Sequence, residues 1–116
     1  MNLSYTELVM ALKKDPVLIA LEMSSDKADL MHMAMGIAGE AGELLDAIKK
    51  HVVYNKPLDL VHVVEEFGDI EFYLEGLRQR LSLEREDILT LNQEKLEKRY
   101  GNSYSDTAAS TRADKA

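Results

Sequence analysis

The sequence predicts an all-α protein that folds as a compact, four-helix-type bundle. Apolar residues recur every three or four positions along most of residues 4–100, which is the spacing of one face of a helix. Proline occurs only at Pro16 and Pro57, and β-branched residues are few. A chain of 116 residues is long enough for one domain with a modest core, so a single helical domain is expected.

The first half of the chain is predicted to hold a short helix and a long one. The short helix covers about residues 4–14 and is broken or turned at Asp15-Pro16, because proline disfavours a helical residue before it. The long helix reaches about Val53, with its N-cap among residues 24–26. Its apolar positions follow helical spacing: Leu30, Ala34, Ile37, Ala41, Leu44, Leu45 and Ile48.

The second half is predicted to hold two further helices. Residues 54–59, YNKPLD, form a connector in which Pro57 suits the first turn of the third helix. That helix ends near Leu81, and Ser82 is the expected N-cap of a fourth helix, which stops at Gly101. The helical domain is therefore predicted to span residues 1–101. Residues 102–116 are small and polar, with almost nothing to bury, and are predicted to form a flexible tail.

Composition excludes several classes of function. The net charge of -7 argues against binding a nucleic-acid polymer, which requires lysine and arginine to replace counterions. The absence of cysteine excludes disulfides and thiolate metal sites. No apolar run approaches the roughly 18 residues that span a bilayer, and no signal-peptide pattern opens the chain. We therefore expect no membrane association and a cytoplasmic location.

Two acidic pairs are the candidate functional residues. Glu40 and Glu43 are three residues apart in the long helix, as are Glu66 and Asp69 in the next, so each pair shares a helix face. Two helices joined by a short connector normally pack antiparallel. Glu43 lies twelve residues before Asn55 and Glu66 eleven after it, so the pairs should meet at one level of the bundle.

Four carboxylates at one level repel one another unless a cation lies among them. Oxygen ligands without cysteine suit a hard cation, Mg²⁺ or Mn²⁺. Gly36, Gly39 and Gly42 in the long helix, and Gly68 within the second pair, are expected to leave room where helix backbones or a ligand approach closely. The alternative is that both pairs lie on solvated faces, because 21 residues of the chain are acidic.

These motifs resemble those of the MazG-like, all-α nucleoside triphosphate pyrophosphohydrolases. The segments GEAGELLD and EEFGDIEFYLEGL carry the ExxE and ExxD signature, and the resemblance extends over about residues 30–101. It includes the connector and an ending of the form NxxKLxxRY, here Asn92, Lys95, Leu96, Arg99 and Tyr100. The resemblance is therefore carried by several segments and not by one pair of acids.

The resemblance implies Mg²⁺-dependent hydrolysis of a nucleoside triphosphate to the monophosphate and pyrophosphate, with Mn²⁺ as a possible substitute. The implied metal ligands and catalytic residues are Glu40, Glu43, Glu66 and Asp69. One carboxylate would activate the attacking water, with a slight preference for Glu43. Lys95 and Arg99 are the implied phosphate ligands, with Asn92 as a polar contact. A purely solvated role for these cations is the alternative.

The nucleoside pocket is predicted from position alone. His32 lies eight residues before Glu40 and Tyr73 seven after Glu66, so each is on a face similar to that of its acid. Lys56 in the connector is a further candidate, whereas His51 and His62 are expected to be structural or surface residues. Members of the family are dimers or tetramers built from dimers, so a homodimer or such a tetramer is expected.

Other functions stay open at this point. An all-α dUTPase or dCTPase shares the metal acids and differs in its base pocket, and phosphoribosyl-ATP pyrophosphohydrolase is a further relative. A non-catalytic helical module with a metal site belongs to a different class. A di-iron bundle fits poorly, because neither His51 nor His62 follows a glutamate at the ExxH spacing.

Overall fold

The computed structural model of the protein describes residues 2–115, in which every regular element is helical. The helices are α1 (Tyr5–Leu12), α2 (Pro16–Glu22), α3 (Ser25–Val52), α4 (Leu60–Leu81), α5 (Arg85–Tyr100), α6 (Asp106–Thr111) and a 3₁₀ turn (Ala113–Lys115). The all-α prediction is therefore confirmed. No helix within residues 2–115 is both long and apolar enough to cross a bilayer. The predicted domain, residues 1–101, and tail, residues 102–116, each include one terminal residue, Met1 and Ala116, outside the described residues.

Helices α3 and α4 form an antiparallel hairpin, which is the most extensive contact within residues 2–115. As the residue number rises along α3, that of the partner on α4 falls. From the open end towards the connector, the facing pairs are Asp29 and Arg80, Met33 and Gly76, Gly36 and Tyr73, and Glu40 and Glu66. The hairpin brings the two acidic segments face to face.

Both helices of the hairpin begin at side-chain caps. The Ser24 hydroxyl accepts a hydrogen bond from the Lys27 N–H, which starts α3 within the predicted range. The Asp59 carboxylate accepts one from the His62 N–H, so Pro57 lies in the connector and not in the first turn of α4. At the other end of the connector, His51 Nδ1 donates to the Lys56 carbonyl at 2.7 Å.

The predicted compactness is wrong, because the chain is extended. Its radius of gyration is 20.2 Å, against about 13 Å for a compact domain of this length. The buried apolar residues are Met33, Ala47 and Val63, all in the hairpin. The apolar residues of α1, α2 and α5 remain exposed, since these helices do not pack along the hairpin. The apolar residues were correctly assigned to helix faces. Their spacing does not show, however, whether the surface that covers each face belongs to the same chain.

The predicted break at Asp15-Pro16 is confirmed, but the helix that follows it was not predicted, and the boundary predicted at Ser82 is wrong. The sequence around Asp15-Pro16 begins a helix, α2, as well as ending α1, because the Asp15 carboxylate caps the Val17 N–H and Pro16 occupies the first helical position. Ser82 does not cap α5. It ends α4 in a left-handed conformation, with φ 54° and ψ 43°, and α5 begins after Glu84.

The segment predicted as a tail contains secondary structure. Ser105 caps α6, and the 3₁₀ turn that follows packs against α5. The Arg99 guanidinium donates two hydrogen bonds, of 2.7 and 3.0 Å, to the Asp114 carboxylate. Gly101 ends α5 at the predicted position, but with φ 69° and ψ −122° it is not in the left-handed helical conformation that was expected of it.

Candidate metal centre

The acidic pairs meet in the middle of the α3–α4 hairpin. Glu40, Glu66 and Asp69 each place one carboxylate oxygen within 4.8 Å of the other two. The antiparallel register brings them together, since Glu40 is on α3 and the other two are on successive turns of α4. The meeting inferred by counting from the connector is therefore observed.

Glu66 is the centre of this arrangement. Only 7% of the residue is exposed, although glutamate is seldom buried without a partner. Its Oε1 lies 3.1 Å from His62 Nε2. Its Oε2 is buried and has no hydrogen-bond partner among the described residues. A buried carboxylate oxygen without a partner carries a high desolvation cost, so this position demands a proton or a cation.

The close approach of these carboxylates raises the pKa of Glu40. The hydrogen bond that a protonated Glu40 would make with the Glu66 carboxylate, followed by partial burial and by the charges of Glu66, Asp69 and Glu43, raises the pKa of Glu40 to about 7. A proton between Glu40 and Glu66 relieves the repulsion when no cation is bound. A divalent cation relieves it by replacing that proton.

Glu43 lies close to Glu66 and to His62, a residue to which the sequence assigned no functional role. Glu43, His62 and Glu66 each have one ligand atom within 4.8 Å of the other two. His62 is one helical turn before Glu66 on α4, and Glu43 faces both from α3. The i to i+4 spacing of His62 and Glu66 was the available signal, but only the hairpin register shows that Glu43 lies opposite.

The donor set fits a divalent cation. The four acids offer oxygen ligands, and Glu66 supplies a buried oxygen that no donor within residues 2–115 satisfies. Glu43 and Asp69 are exposed, so the cluster opens to solvent on both helices and leaves access for water and for a ligand.

The expected close approach of the helices is observed at Gly36 and not at Gly39, Gly42 or Gly68. At Gly36 a Cβ would collide with the Tyr73 ring, and at Gly76 with the Met33 sulfur, so these two glycines allow close approach inside the hairpin. At Gly39, Gly42 and Gly68 a Cβ would meet no atom within 4 Å. Within one chain, therefore, the contacts explain Gly36 and not its neighbours.

Two of the predicted nucleoside-pocket residues lie together. The His32 and Tyr73 rings are in edge contact, with centroids 6.1 Å apart and planes at 64°. Tyr73 also makes an edge contact with Phe72, whose side chain is largely exposed. Lys56 is in the connector, where its backbone carbonyl accepts the hydrogen bond from His51. The His32–Tyr73 pair is two helical turns from Glu40 along α3.

The predicted phosphate-binding residues are not brought to the acids within one chain. Asn92 and Lys95 are exposed on α5, which packs against α6 and the 3₁₀ turn and not along the hairpin. Arg99 is held by Asp114, whose side chain is 2% exposed. A phosphate would therefore have to compete with Asp114 for Nε and Nη2 of Arg99.

Comparison of the chain with protein-family models, curated proteins and solved structures gives no match. The assignment of a function therefore depends on the residues themselves. Of the residues that carry the resemblance, the four acids converge, and the cations of α5 stand apart from them.

Proposed function

We propose that the protein is a divalent-metal-dependent nucleoside triphosphate pyrophosphohydrolase that acts in cleansing or adjusting the nucleotide pool. The substrate class is nucleoside or deoxynucleoside triphosphates, cleaved to the monophosphate and pyrophosphate. One observation carries the proposal: Glu66 is buried between two further carboxylates, and in the described part of the chain its Oε2 has no hydrogen-bond partner. A protein maintains such an arrangement at a cost in stability, and cation binding is the function that offsets it.

Mg²⁺ is the proposed cofactor, with Mn²⁺ as a substitute, and Glu40, Glu43, Glu66 and Asp69 would hold it. When bound, the ion neutralises phosphate charge and lowers the pKa of bound water. The exposed Glu43 is the preferred acceptor for the proton of the attacking water, because a carboxylate accessible to solvent can release that proton again. Water adds across the anhydride between the α- and β-phosphates, and pyrophosphate leaves.

The phosphate contacts are proposed to come from a second copy of the chain, in a homodimer or a tetramer built from dimers. Lys95 and Arg99 would then reach the acids of the partner subunit. The extended chain supports this proposal, since large apolar side chains such as Leu12 and Leu21 are each 76% exposed. An assembly that covers them would also supply the core that one chain lacks.

One observation favours a second candidate, a metal-binding helical module without catalysis. The proposed phosphate ligands are on a helix that does not pack along the hairpin, and Arg99 is already paired with Asp114. A module needs only the acids. Nucleotide turnover separates the two functions.

The test is pyrophosphate release from a panel of canonical and modified nucleoside triphosphates, with Mg²⁺ and with a chelator. We expect Mg²⁺-dependent release from one or a few nucleotides. Glu66→Gln should lower the rate by on the order of 100-fold or more, because it removes the shared metal ligand. Glu65→Gln is the matched control, since Glu65 is the exposed neighbour on the same helix, and it should retain the wild-type rate. Equal rates in the two folded variants would refute the assignment of the site.

A further inference from the structure

A groove lies between α5 and the chain segment that follows this helix. One wall is the face of α5 that carries Leu89, Leu96 and Tyr100, and the other wall is formed by residues 101–104. The volume of the groove is about 580 Å³. Small-molecule sites in proteins usually measure roughly 300–1,000 Å³ and combine apolar or aromatic side chains with a few polar groups. The groove therefore has the size of a site for one small ligand.

Two tyrosines form the aromatic part of the groove. The centroids of the Tyr100 and Tyr104 rings are 5.6 Å apart, and the ring planes meet at 34°. The Tyr104 hydroxyl donates a hydrogen bond to the Asp106 carboxylate, so this ring is held from two directions. Even so, 71% of Tyr104 is exposed. A ring that is exposed and already fixed loses little conformational entropy when a planar ligand stacks on it.

The tyrosine of the nucleoside pocket that the sequence predicted offers less free ring surface. The Tyr73 ring lies against Gly36 and makes edge contacts with His32 and Phe72. These contacts use the ring for packing inside the hairpin, and Tyr73 is only partly exposed. The surface that a planar ligand could cover is therefore larger at Tyr104.

The charges around the groove give it a direction. Asn92 lines the groove, and Lys95 and Arg99 follow it at three and seven residues, on the adjoining side of α5. The Arg99 guanidinium carbon is 5.8 Å from the centroid of the Tyr100 ring, so a cation lies beside the aromatic surface. Glu97 also lines the groove, but it is five residues after Asn92 and so lies on the other side of the groove. A ligand with an aromatic end and an anionic end would therefore point its anionic end past Asn92 and away from Glu97.

We propose that this groove binds the base of the nucleotide, with the base stacked on Tyr104 and the phosphates extending past Asn92 towards Lys95. The side-chain amides of Gln93 and Asn102 line the groove and offer donors and acceptors to the edge of the base. The inference rests on the proposed function for the identity of the ligand. It places recognition of the base on the same helix as the proposed phosphate contacts.

The experiment measures binding in the absence of turnover. Saturation-transfer difference NMR is recorded on the full-length protein with a chelator, using each of the four common deoxynucleoside monophosphates in turn. The probe that lacks a base is 2-deoxyribose 5-phosphate. We expect saturation to reach the base protons of one or more monophosphates most strongly, and the sugar phosphate to receive little.

Substitutions of Tyr104 locate the site. Tyr104→Ala should weaken binding of the monophosphate at least about fivefold, because it removes the stacking surface. Tyr104→Phe keeps the ring and should bind more tightly than Tyr104→Ala. Tyr5→Ala is the matched control, since Tyr5 is a tyrosine on α1 that is 81% exposed, and it should bind as the wild type does. If Tyr104→Ala disturbs the C-terminal segment, nuclear Overhauser effects between the base and the Tyr104 ring in the wild type decide the question, and their absence rejects the site.

Equal affinities of Tyr104→Ala and Tyr5→Ala for the monophosphate would overturn the inference. Saturation of the sugar phosphate as strong as that of the nucleotides would overturn it too, as would the absence of binding at millimolar nucleotide. Tyr104-dependent binding by a protein that releases no pyrophosphate would reject the hydrolase and keep the base site. Pyrophosphate release with the same KM in Tyr104→Ala and wild type would keep the hydrolase and reject the base site.

Discussion

The α3–α4 hairpin and the helices that flank it differ in what holds them. In the hairpin, each turn of one helix meets a turn of the other, and the pairs include an ion pair, a Gly–Tyr contact and the acidic cluster. The flanking α1 and α2 also have apolar residues and side-chain caps, yet neither helix contains a buried residue. Regular local structure therefore extends through both regions, whereas a buried core is confined to one.

The strongest test of this difference is a charge placed in each region. Val63 is 6% exposed inside the hairpin, and Leu12 is 76% exposed at the end of α1. Val63→Asp should cost on the order of 3 kcal/mol or more, because it buries an unpaired charge. Leu12→Asp should keep its helical circular dichroism and, if the proposed homo-oligomer forms through this surface, shift sedimentation towards a smaller species. Equal loss of helix in both variants would remove the distinction between the regions.

A finer test uses two glycines of the same helix. Gly36→Ala brings a methyl group against the Tyr73 ring, whereas Gly39→Ala places it in open space. Both substitutions replace glycine by alanine and so raise the helix propensity equally. This contribution therefore cancels when the two variants are compared. The difference in unfolding free energy should be about 1–3 kcal/mol in favour of Gly39→Ala, the usual cost of overpacking. Denaturant titration measures it, and Gly36→Ala as stable as Gly39→Ala would show that Tyr73 relaxes freely.

Within the hairpin, pH should separate the metal-free from the metal-bound protein. Since the pKa of Glu40 is raised from 4.5 to about 7, the folded state holds a proton that the unfolded chain has released between these values. The metal-free protein should therefore lose stability as pH rises from 4.5 through 7, and a divalent cation should restore it at pH values above about 7. Melting curves with and without chelator measure this. Glu40→Gln should flatten the dependence, and an unchanged slope would contradict the assignment to Glu40.

The smallest effect on stability is expected at the C-terminal end of the chain, where the 3₁₀ turn packs against α5. The Arg99 guanidinium holds the pKa of Asp114 at about 2, against 3.8 in the unfolded chain, so the pair stabilises the fold above 3.8 and is lost as pH falls to about 2. Asp114→Asn should speed amide exchange in residues 106–115 and leave the hairpin unchanged. Glu94→Gln on the exposed side of α5 provides the control. Unaltered exchange in Asp114→Asn would mean that the 3₁₀ turn is held by other contacts.

The parts of the fold that the sequence predicted depend on local signals. Helical periodicity and the cap candidates at residues 24–26 placed both ends of α3 and the C-terminal end of α4 within one or two residues. The acidic pairs could be aligned by counting from Asn55, because a short connector leaves little freedom in register. The separation of Glu43 and Glu66 from the connector was therefore enough to predict their meeting.

The sequence did not predict features in which one residue can either end a helix or begin the next. It also did not predict features that depend on contacts between helices. Asp15-Pro16 can end one helix and begin the next, and Ser82 can cap either of two helices, so the residue types alone do not decide. The part played by His62 requires the register of α3 against α4. Asp114 meets Arg99 only because the chain reverses after Gly101.

The short connector between α3 and α4 has a consequence for folding kinetics. Residues close in sequence across it meet first, so the hairpin has a low contact order and a small loop-closure cost. Refolding should begin with a fast phase whose rate is independent of protein concentration. In the proposed homo-oligomer, covering the apolar surface of α1 and α2 by another copy would follow as a slower, concentration-dependent phase. The cation ligands would thus be assembled before the subunits meet, and metal added at the start of refolding should accelerate the first phase or slow its reversal.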